Sequence, residues 1–543
     1  MSLKNILDIA DMAGINREYV EQYGNYMAKI NLGIMKDLKK RTGKMILVTA
    51  MTPTPAGEGK TTTSIGLSMA INRLGRKSIL ALREPSLGPV FGVKGGATGG
   101  GKSTVQPMEE INLHFTGDFH AISSAHNLLS AMVNNHIYYD LEPHIDSRKV
   151  IWRRTIDMND RALRQIIVGL GKGNGIMYED GFDIVPASEI MAIMALSENY
   201  QDLKNRISRI IAGFTRDRKP VTARDIRASG AMAALLKNAL KPNLVQTAEN
   251  TPAFVHIGPF GNIAHGTNSI LADKIGLSLS DYFVTEAGFG SDLGAEKFFN
   301  IVTRVGNFRP NAVVVVASIR AMKYHGGAKN TDEENVEAMK KGYENLKFHV
   351  NNMRKFGIDP TVAINRFPKD TEKEISALED LLSVDRITWS LSEVFARGGE
   401  GGEDLARKVM QKADSNPDPE INYTYDINDP VEVKIEKVAR NIYGAKGVIF
   451  TKDAEEDLRT IKKIGMDNAF VCMAKTQSSI SDDPKALNVP RDFTVTVREI
   501  KISAGANFVV PILGEIMRMP GLSKEPAAYK IDLLEDGTIV GLF

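Results

Sequence analysis

The chain has little of what secreted, membrane-spanning or nucleic-acid-binding proteins depend on. It contains one cysteine, Cys472, which cannot form an internal disulfide and fits a reducing compartment. No apolar run reaches the roughly 18 residues that a membrane-spanning helix needs. Lys and Arg total 68 against 66 Asp and Glu, and the net charge of +2 creates no strong field toward nucleic acid or an anionic membrane. We therefore expect neither partner.

The N-terminus also lacks the pattern of a targeting signal. Asp8, Asp11, Glu18 and Glu21 lie where a signal or transit peptide would be basic or apolar, so we expect a cytoplasmic protein. Hydrophobic residues make up 43% and charged residues 25%, which is average for globular proteins and excludes disorder and fibrous repeats. A chain of 543 residues is too long for one core and should divide into two to four domains.

The sequence does contain a phosphate-binding pattern. Residues 45–48 have the composition of a buried strand, and the glycine-containing loop after them ends in Gly59-Lys60-Thr61 at the start of a helix. Backbone N–H groups of such a loop and the positive end of the helix converge on phosphate oxygens. Lys60 can reach the outer phosphates, and the Thr61 hydroxyl can ligate Mg²⁺. A nucleoside triphosphate is the first ligand indicated.

The match to G-x-x-x-x-G-K-[ST] is imperfect because Thr54 replaces the first glycine. The context supports the assignment, since the helix stops near Gly75 and a strand at 78–82 follows. A helical crossover to a parallel strand puts Arg83 and Glu84 at the same sheet edge as the loop. Facing Lys60 there, Arg83 could hold a planar carboxylate or an acyl phosphate by paired hydrogen bonds.

Strand-like runs alternate with helical ones through the first 340 residues, including 182–185, 281–285 and 311–318. This alternation predicts an α/β fold with a large, P-loop-type, doubly wound, mainly parallel sheet. A second region begins near Gly357, and a Pro- and Asp-rich connector at 416–429 precedes the C-terminal part.

Two further segments are rich in residues that bind ligands. Six glycines within residues 92–101 predict a loop that approaches a ligand closely, or else a flexible surface loop. His114, His120 and His126 invite a metal, but a spacing of six places helical neighbours about 240° apart, which disfavours zinc. Asp118 and His120 are better interpreted as groups that orient Mg²⁺, water or substrate. Ordinary hydrogen bonds explain His126 equally well.

Two phenylalanines form a candidate stacking site. Phe367 follows the strand-like run 361–365, and Phe395 follows the run 386–390. If a right-handed helical crossover makes these strands parallel neighbours, both rings lie at the same edge and could sandwich a flat heterocycle. Taken alone, such phenylalanines are more often core residues. The segment 398–402 beside them predicts either a hinge or a loop pressed against the ligand.

Taken together, these motifs resemble the signatures of the formate:tetrahydrofolate ligase family, also called formyltetrahydrofolate synthetase, over nearly the whole chain. Thr98 replaces a usual Ala and Lys102 a usual Tyr, which puts the shape of the glycine-rich loop in question. Phe395 stands where many relatives carry Trp. The segments that carry the resemblance are 52–62, 83–89, 92–101, 116–120, 258–266, 286–292, 316–327 and 474–484.

The resemblance implies an ATP-dependent reaction that joins formate to tetrahydrofolate and gives 10-formyltetrahydrofolate, ADP and phosphate through formyl phosphate. Lys60 would stabilise the transferred phosphoryl group, Arg83 would hold formyl phosphate, and Asp118 would take the proton that N-10 loses. Phe367 and Phe395 would stack on the pterin. The ATP-binding residues would be Thr54, Pro55, Ala56, Gly57, Glu58, Gly59, Lys60 and Thr61.

The resemblance also implies partners and organisation. Mg²⁺ would accompany ATP at Thr61, and members of the family are homotetramers that use a monovalent cation, K⁺ or NH4⁺. A large nucleotide- and formyl-phosphate-binding domain would cover residues 1–345. A smaller α/β domain at 346–450 would carry the stacking aromatics, and a C-terminal α/β domain at 451–543 would wall the cleft.

Two other classes share parts of the pattern. ATPases that partition cargo or deliver membrane proteins have the same Gly-Lys-Thr-Thr ending and would act as nucleotide-switched interaction proteins. Ligases of the dethiobiotin synthetase type share the phosphate loop and the activation of a carboxylate, but transfer it to another acceptor. A strict requirement for both formate and folate would distinguish the predicted ligase from both.

Overall fold

The computed structural model describes residues 2–38, 42–92, 98–259, 263–514 and 516–542. The largest sheet has 12 strands. In spatial order its main strands are Val20–Tyr23, Met27–Ile30, Asn243–Thr247, Pro252–Val255, Ser78–Leu82, Tyr282–Glu286, Lys44–Ala50, Pro310–Ala317, Thr361–Asn365 and Thr388–Ser392. The short strand Ser103–Gln106 pairs with Asn243–Thr247, and Gly99–Gly100 pairs with Ser103–Gln106.

The strands from Pro252–Val255 to Thr388–Ser392 all pair in parallel, whereas those on the other side of Pro252–Val255 pair antiparallel. The α-helices are Ile6–Ala13, Lys60–Arg73, Leu87–Phe91, Met108–Asn112, Asp118–Tyr138, Glu189–Leu196, Tyr200–Ser208, Ser229–Leu235, Ile270–Leu279, Thr303–Gly306, Ile319–His325, Val336–Lys355, Glu372–Val384, Val394–Arg397, Glu403–Ser415, Val431–Val438 and Lys452–Lys463. The predicted α/β fold with a large, mainly parallel sheet is confirmed.

Helices cover both faces of the sheet because successive strand residues point to opposite sides. In the strand Lys44–Ala50, Ile46 and Val48 belong to the core that includes the helices Lys60–Arg73 and Glu403–Ser415. Met45 and Leu47 belong to the other core, which includes the helices Ile270–Leu279 and Val336–Lys355. The strand is therefore apolar on both faces, as its continuous hydrophobic run indicated.

Some strands lie outside this sheet. The run 182–185 was expected to contribute to it, but Phe182–Ile184 pairs in parallel with Arg154–Ile156 in a separate two-stranded sheet, so that expectation was wrong. The C-terminal part forms a four-stranded sheet in the order Gly447–Phe450, Thr494–Ser503, Phe508–Leu513 and Phe470–Val471. The remaining two-stranded sheets are Ile211–Phe214 with Pro220–Thr222, Ile166–Val168 with Tyr178–Asp180, and Asp532–Leu533 with Ile539–Val540.

The strand Thr361–Asn365 continues the main sheet and lies in parallel beside Thr388–Ser392. The parallel pairing on which the stacking hypothesis depended is thus confirmed. The sheet is continuous across the predicted boundary between residues 345 and 346, and the division into three domains stays a prediction. Within the described ranges, no helix is long and apolar enough to cross a membrane.

The glycine run 398–402 packs against the helix Lys60–Arg73. A Cβ atom on Gly399 would lie 2.7 Å from Arg73 Cδ, and one on Gly66 of the helix would lie 2.3 Å from Val394 Cβ. Close approach of the two backbones therefore requires these glycines, and it packs the residues next to Phe395 against the helix Lys60–Arg73. The glycine run serves this packing, and its expected role as a hinge or as a loop pressed against the ligand stays a prediction.

Gly66→Ala should lower the free energy of unfolding by about 1–3 kcal/mol, because overpacking against buried Val394 outweighs the gain in helix propensity of about 1 kcal/mol. Gly230→Ala is the matched control, since Gly230 is exposed in the helix Ser229–Leu235 and its Cβ would meet nothing within 4 Å. Urea denaturation measures both. Equal effects of the two substitutions would contradict the close packing.

Candidate functional site

The loop before the helix Lys60–Arg73 is held in shape by its own Glu58 and by side chains at or just after the ends of the strands Pro310–Ala317 and Thr361–Asn365. The Thr54 N–H donates to Glu58 Oε1 at 2.7 Å, and the Ser318 hydroxyl donates to the other oxygen of this carboxylate. Asn365 Nδ2 donates to the Glu58 carbonyl at 3.0 Å. Arg320 Nη2 donates to the Gly57 carbonyl at 2.6 Å. These contacts fix the loop without a ligand, which reduces the entropy that binding must lose.

Glycine is required at one end of this loop and not at the other. Gly59 has a left-handed backbone with φ 73°, and a Cβ there would lie 2.2 Å from Asn365 Nδ2. Thr54, which replaces the first glycine of the motif, is not among the residues with positive φ. A side chain is therefore tolerated at Thr54, and the departure from the motif leaves the loop intact.

Two cations meet on one loop beside it. Lys60 Nζ donates to the Phe289 carbonyl at 2.9 Å. Arg83 Nη1 donates to the Pro259 carbonyl at 3.2 Å, and a Cβ on Gly288 would lie 2.8 Å from the same nitrogen. Both side chains thus contact successive residues of one loop. This fits the sheet, because the strands Lys44–Ala50 and Ser78–Leu82, which precede Lys60 and Arg83 in the chain, flank Tyr282–Glu286.

Glu286 is a residue that sequence reasoning missed. The residue is 4% exposed, and its carboxylate accepts a hydrogen bond from Thr61 Oγ1, at 3.0 Å to Oε2 and 3.3 Å to Oε1. In the sheet Glu286 is the partner of Val48, so it lies at the carboxyl end of the strand next to the phosphate-loop strand. The signal was present, because an acid at a strand end is typical of this edge.

Asp118 lies in a buried polar cluster. Lys29 Nζ donates to Asp118 Oδ1 at 2.7 Å, and Asn243 Nδ2 donates to Oδ2 at 2.8 Å. The side chains of both Lys29 and Asp118 are 1% exposed. Burial and the negative charge of Asp118 raise the pKa of the Glu84 carboxyl well above its usual value. Sequence reasoning missed Lys29, which lies far from Asp118 along the chain.

The two phenylalanines differ in their surroundings. The Arg320 guanidinium carbon lies 4.5 Å from the centroid of the Phe367 ring and covers one face of it. Phe395 is 51% exposed, and a Cβ on Gly100 would lie 3.1 Å from its ring. The Lys102 N–H donates to the Phe395 carbonyl at 2.8 Å. The glycine-rich segment therefore supports the back of the Phe395 ring and leaves much of the ring in solvent.

The structure describes the surroundings of Thr98 and Lys102 in the glycine-rich loop. The Thr98 hydroxyl accepts from Asn112 Nδ2 at 3.1 Å, and Lys102 contacts Phe395 through its backbone. Residues 93–97 of this loop, and residues 260–262 of the segment 258–266, lie outside the described residues.

His126 lies in the core, away from solvent. His126 is buried, stacks on Trp152 at 4.1 Å between ring centroids, and bonds to the Ser188 hydroxyl and the Arg153 carbonyl. Burial lowers its pKa to about 3, so it is a neutral core residue. No group of three or more His, Cys, Asp or Glu able to hold a metal ion occurs in the part of the chain that the structure describes.

A mainly parallel α/β sheet, with a glycine-containing loop, a helix start and paired cations at its carboxyl edge, places the chain among the α/β proteins that bind ligands at such an edge. Within that class the chain belongs to the formate–tetrahydrofolate ligase family, whose profile matches residues 1–543.

Individual proteins of that name are similar over their whole length. The chain is 59% identical over 542 residues to formate–tetrahydrofolate ligase of Thermoplasma volcanium and 60% identical over 542 residues to that of Thermoplasma acidophilum, with 100% of each chain covered. It is 55% identical over 544 residues to the protein of the same name from Pseudothermotoga lettingae, of which 98% is covered.

Glu84→Gln should remove a pH dependence of stability. Because folding raises the Glu84 pKa, its contribution is fully present below pH 4.5 and declines by about 1.4 kcal/mol per pH unit as pH rises toward the folded pKa. Gln mimics the protonated form and should flatten this slope. Urea denaturation from pH 4.5 to 8 measures it, with exposed Glu525→Gln as control. An unchanged slope would mean that Glu84 is ionised.

Proposed function

We propose that the protein joins formate to tetrahydrofolate at the expense of ATP and forms 10-formyltetrahydrofolate, ADP and phosphate through formyl phosphate. The observation that carries the proposal is the meeting of Lys60 and Arg83 on successive residues of one loop, at the start of the helix after the glycine-containing loop. Membership of the formate–tetrahydrofolate ligase family supports the substrates.

In the first step a formate oxygen attacks the γ-phosphorus of ATP. An O–P bond forms to the formate, the bond from phosphorus to the β,γ-bridging oxygen breaks, and ADP leaves with that electron pair. The reaction converts a poor leaving group on formate into phosphate. Lys60 stabilises the charge on the transferred phosphoryl group, and the backbone N–H groups of the loop hold the phosphates of ADP.

Arg83 is proposed to hold formyl phosphate once it has formed. A planar guanidinium can donate two parallel hydrogen bonds to the phosphate, and a lysine ammonium cannot reproduce that geometry. The contact with Gly288 allows Arg83 to lie flat on the loop that also contacts Lys60. Formyl phosphate would thus remain between Lys60, which stabilises phosphoryl transfer, and Arg83, which holds the product of that transfer.

Thr61 and Glu286 fit Mg²⁺. A hydroxyl and a buried carboxylate 3.0 Å apart, next to the phosphate loop, are the oxygen ligands that this cation prefers. When bound, Mg²⁺ would neutralise charge on the β- and γ-phosphate oxygens. Glu286 also keeps the Thr61 side chain turned toward the strand end, where the phosphates would lie.

In the second step the lone pair of N-10 attacks the formyl carbon. A C–N bond forms, the bond from carbon to the phosphate oxygen breaks, and inorganic phosphate leaves. Nitrogen that has just formed this bond is cationic and strongly acidic, so even a carboxylate paired with lysine can accept its proton. We assign this proton to Asp118, whose two carboxylate oxygens are held in place by Lys29 and Asn243.

The folate is proposed to stack on Phe395 and Phe367. Phe395 follows the strand Thr388–Ser392 and has an exposed ring. Phe367 follows the parallel neighbouring strand Thr361–Asn365, and Arg320 covers one face of its ring. A pterin that stacks here would direct its N-10 side toward the cations.

The test is formation of ADP with formate alone, folate alone, and both. Turnover should require both, and the product should absorb as a formylated folate. Lys60→Ala should lower turnover by about two orders of magnitude or more, roughly 3 kcal/mol, without unfolding the chain. Exposed Lys452→Ala is the matched control. ADP formation independent of formate would show a nucleotide-switched ATPase instead.

Phe395→Ala should raise the KM for folate about tenfold or more, because stacking on an aromatic ring contributes about 1–3 kcal/mol. The constants for ATP and formate should hardly change. Phe395→Trp should keep or tighten folate binding, since the exposed side of the ring has room for a larger stack. The measurement is the three Michaelis constants of each variant. Equal shifts for ATP or formate would make Phe395 a packing residue.

A further inference from the structure

Lys475, in the C-terminal part of the chain, forms a buried ion pair with Asp292, which follows the loop that contacts Lys60 and Arg83. Lys475 Nζ lies 2.7 Å from Asp292 Oδ2, and the two side chains are 0% and 3% exposed. The ammonium also donates to the Thr476 carbonyl and lies 5.1 Å from the centroid of the buried Tyr443 ring. Burial opposes a charge on Asp292, but the charge and hydrogen bond of Lys475, together with smaller contributions from neighbours such as Lys297, outweigh burial and lower the pKa of Asp292.

Asp292 lies at the end of the segment 286–292, which contacts both Lys60 and Arg83. The loop leaves the strand end at Glu286, presents Gly288 to Arg83 and the Phe289 carbonyl to Lys60, and reaches Asp292 three residues later. A Cβ on Gly290 would lie 2.6 Å from Asp292 Oδ1, so the carboxylate packs against the loop backbone. A shift of this carboxylate would therefore move the loop on which Lys60 and Arg83 lie.

The same region contacts the start of the phosphate loop. The Asn488 N–H donates to His325 Nδ1 at 3.1 Å, and His325 Nε2 lies 3.0 Å from the Thr52 carbonyl. Because a backbone N–H only donates and a carbonyl only accepts, His325 carries its proton on Nε2 and is neutral. Asn345 joins the two as well, since its Nδ2 donates to the Asn488 carbonyl at 2.8 Å and to Thr52 Oγ1 at 3.0 Å.

Buried ion pairs seldom add net stability, because desolvation of the two charges offsets their attraction. A pair so completely buried is better explained by the geometry that it imposes. We propose that Lys475 is a positioning residue, which holds Asp292 and thereby the loop that sets Lys60 and Arg83 for phosphoryl transfer. This role rests on the proposed function, and it links the C-terminal part of the chain to the chemistry at the phosphate loop.

Three variants and one control test the role. Lys475→Met leaves the Asp292 charge buried without its partner, and should destabilise the fold as well as lower activity. Lys475→Met combined with Asp292→Asn removes both charges and should recover stability. Asp292→Glu keeps both charges but displaces the carboxylate by one methylene. Lys434→Met is the control, because Lys434 is equally buried but donates to the Ile427, Asn468 and Ala469 carbonyls away from the loop.

The readouts are the melting temperature, the affinity for ADP by calorimetry, and kcat for ADP formation with formate and folate. In the double variant and in Asp292→Glu, kcat should fall at least tenfold, while ADP affinity changes less than threefold. Lys434→Met should keep kcat within twofold of the unchanged protein even if it melts earlier.

Recovery of kcat together with stability in the double variant would overturn the positioning role, and so would a normal kcat in Asp292→Glu. A loss of kcat in Lys434→Met in proportion to its melting temperature would also overturn it, because activity would then follow stability alone. ADP formation by the protein without substitutions distinguishes a failure of the proposed function from a failure of the positioning role of Lys475. If this protein forms no ADP in response to formate and folate, the proposed function fails, whatever Lys475 does.

Discussion

The parallel register of the central strands is the constraint on which the site depends. Val48 pairs with Glu286 on one side and with Val314 on the other, so the strands end together at one edge of the sheet. The chain leaves each strand there, and the loops that follow bring their side chains within reach of one another. Ser318 and Asn365 fix the phosphate loop because their strands end at the same level.

Close approach of backbone to side chain is the second constraint, and glycine satisfies it at the places where the site is assembled. Gly59 lies against Asn365, Gly288 against Arg83, and Gly100 against Phe395. In each case a Cβ atom would meet a neighbouring atom at 3.1 Å or less. The glycines thus bring together segments that are far apart in sequence, and the conformational entropy that they lose on folding is offset by the packing of the sheet around them.

Several ionisable side chains of the proposed site and its surroundings are almost fully buried. Lys29 with Asp118 and Lys475 with Asp292 are almost fully removed from solvent, and Glu84 beside Asp118 favours its neutral form. Such groups cost desolvation energy, which the surrounding apolar core has to offset. Each of them touches a residue that handles phosphate, formyl or proton in the proposed reaction, or touches the loop that positions one. The fold thus accepts the desolvation cost of these buried charges, and the charges hold the residues of the proposed site in position.

Local patterns in the sequence determined the strand, loop and helix at residues 44–73, the placement of Arg83 at the same edge, and the parallel pairing behind Phe367 and Phe395, because periodicity, helix capping and crossover handedness are short-range rules. Tertiary structure alone decided which distant residues complete the site. Lys29 and Lys475 have no local signal of their role, since each acts through a partner brought near by the fold. Glu286 has only its place at a strand end, and the fold alone brings Thr61 to it. The run at 182–185 has strand composition too, but only packing decides which sheet a strand joins.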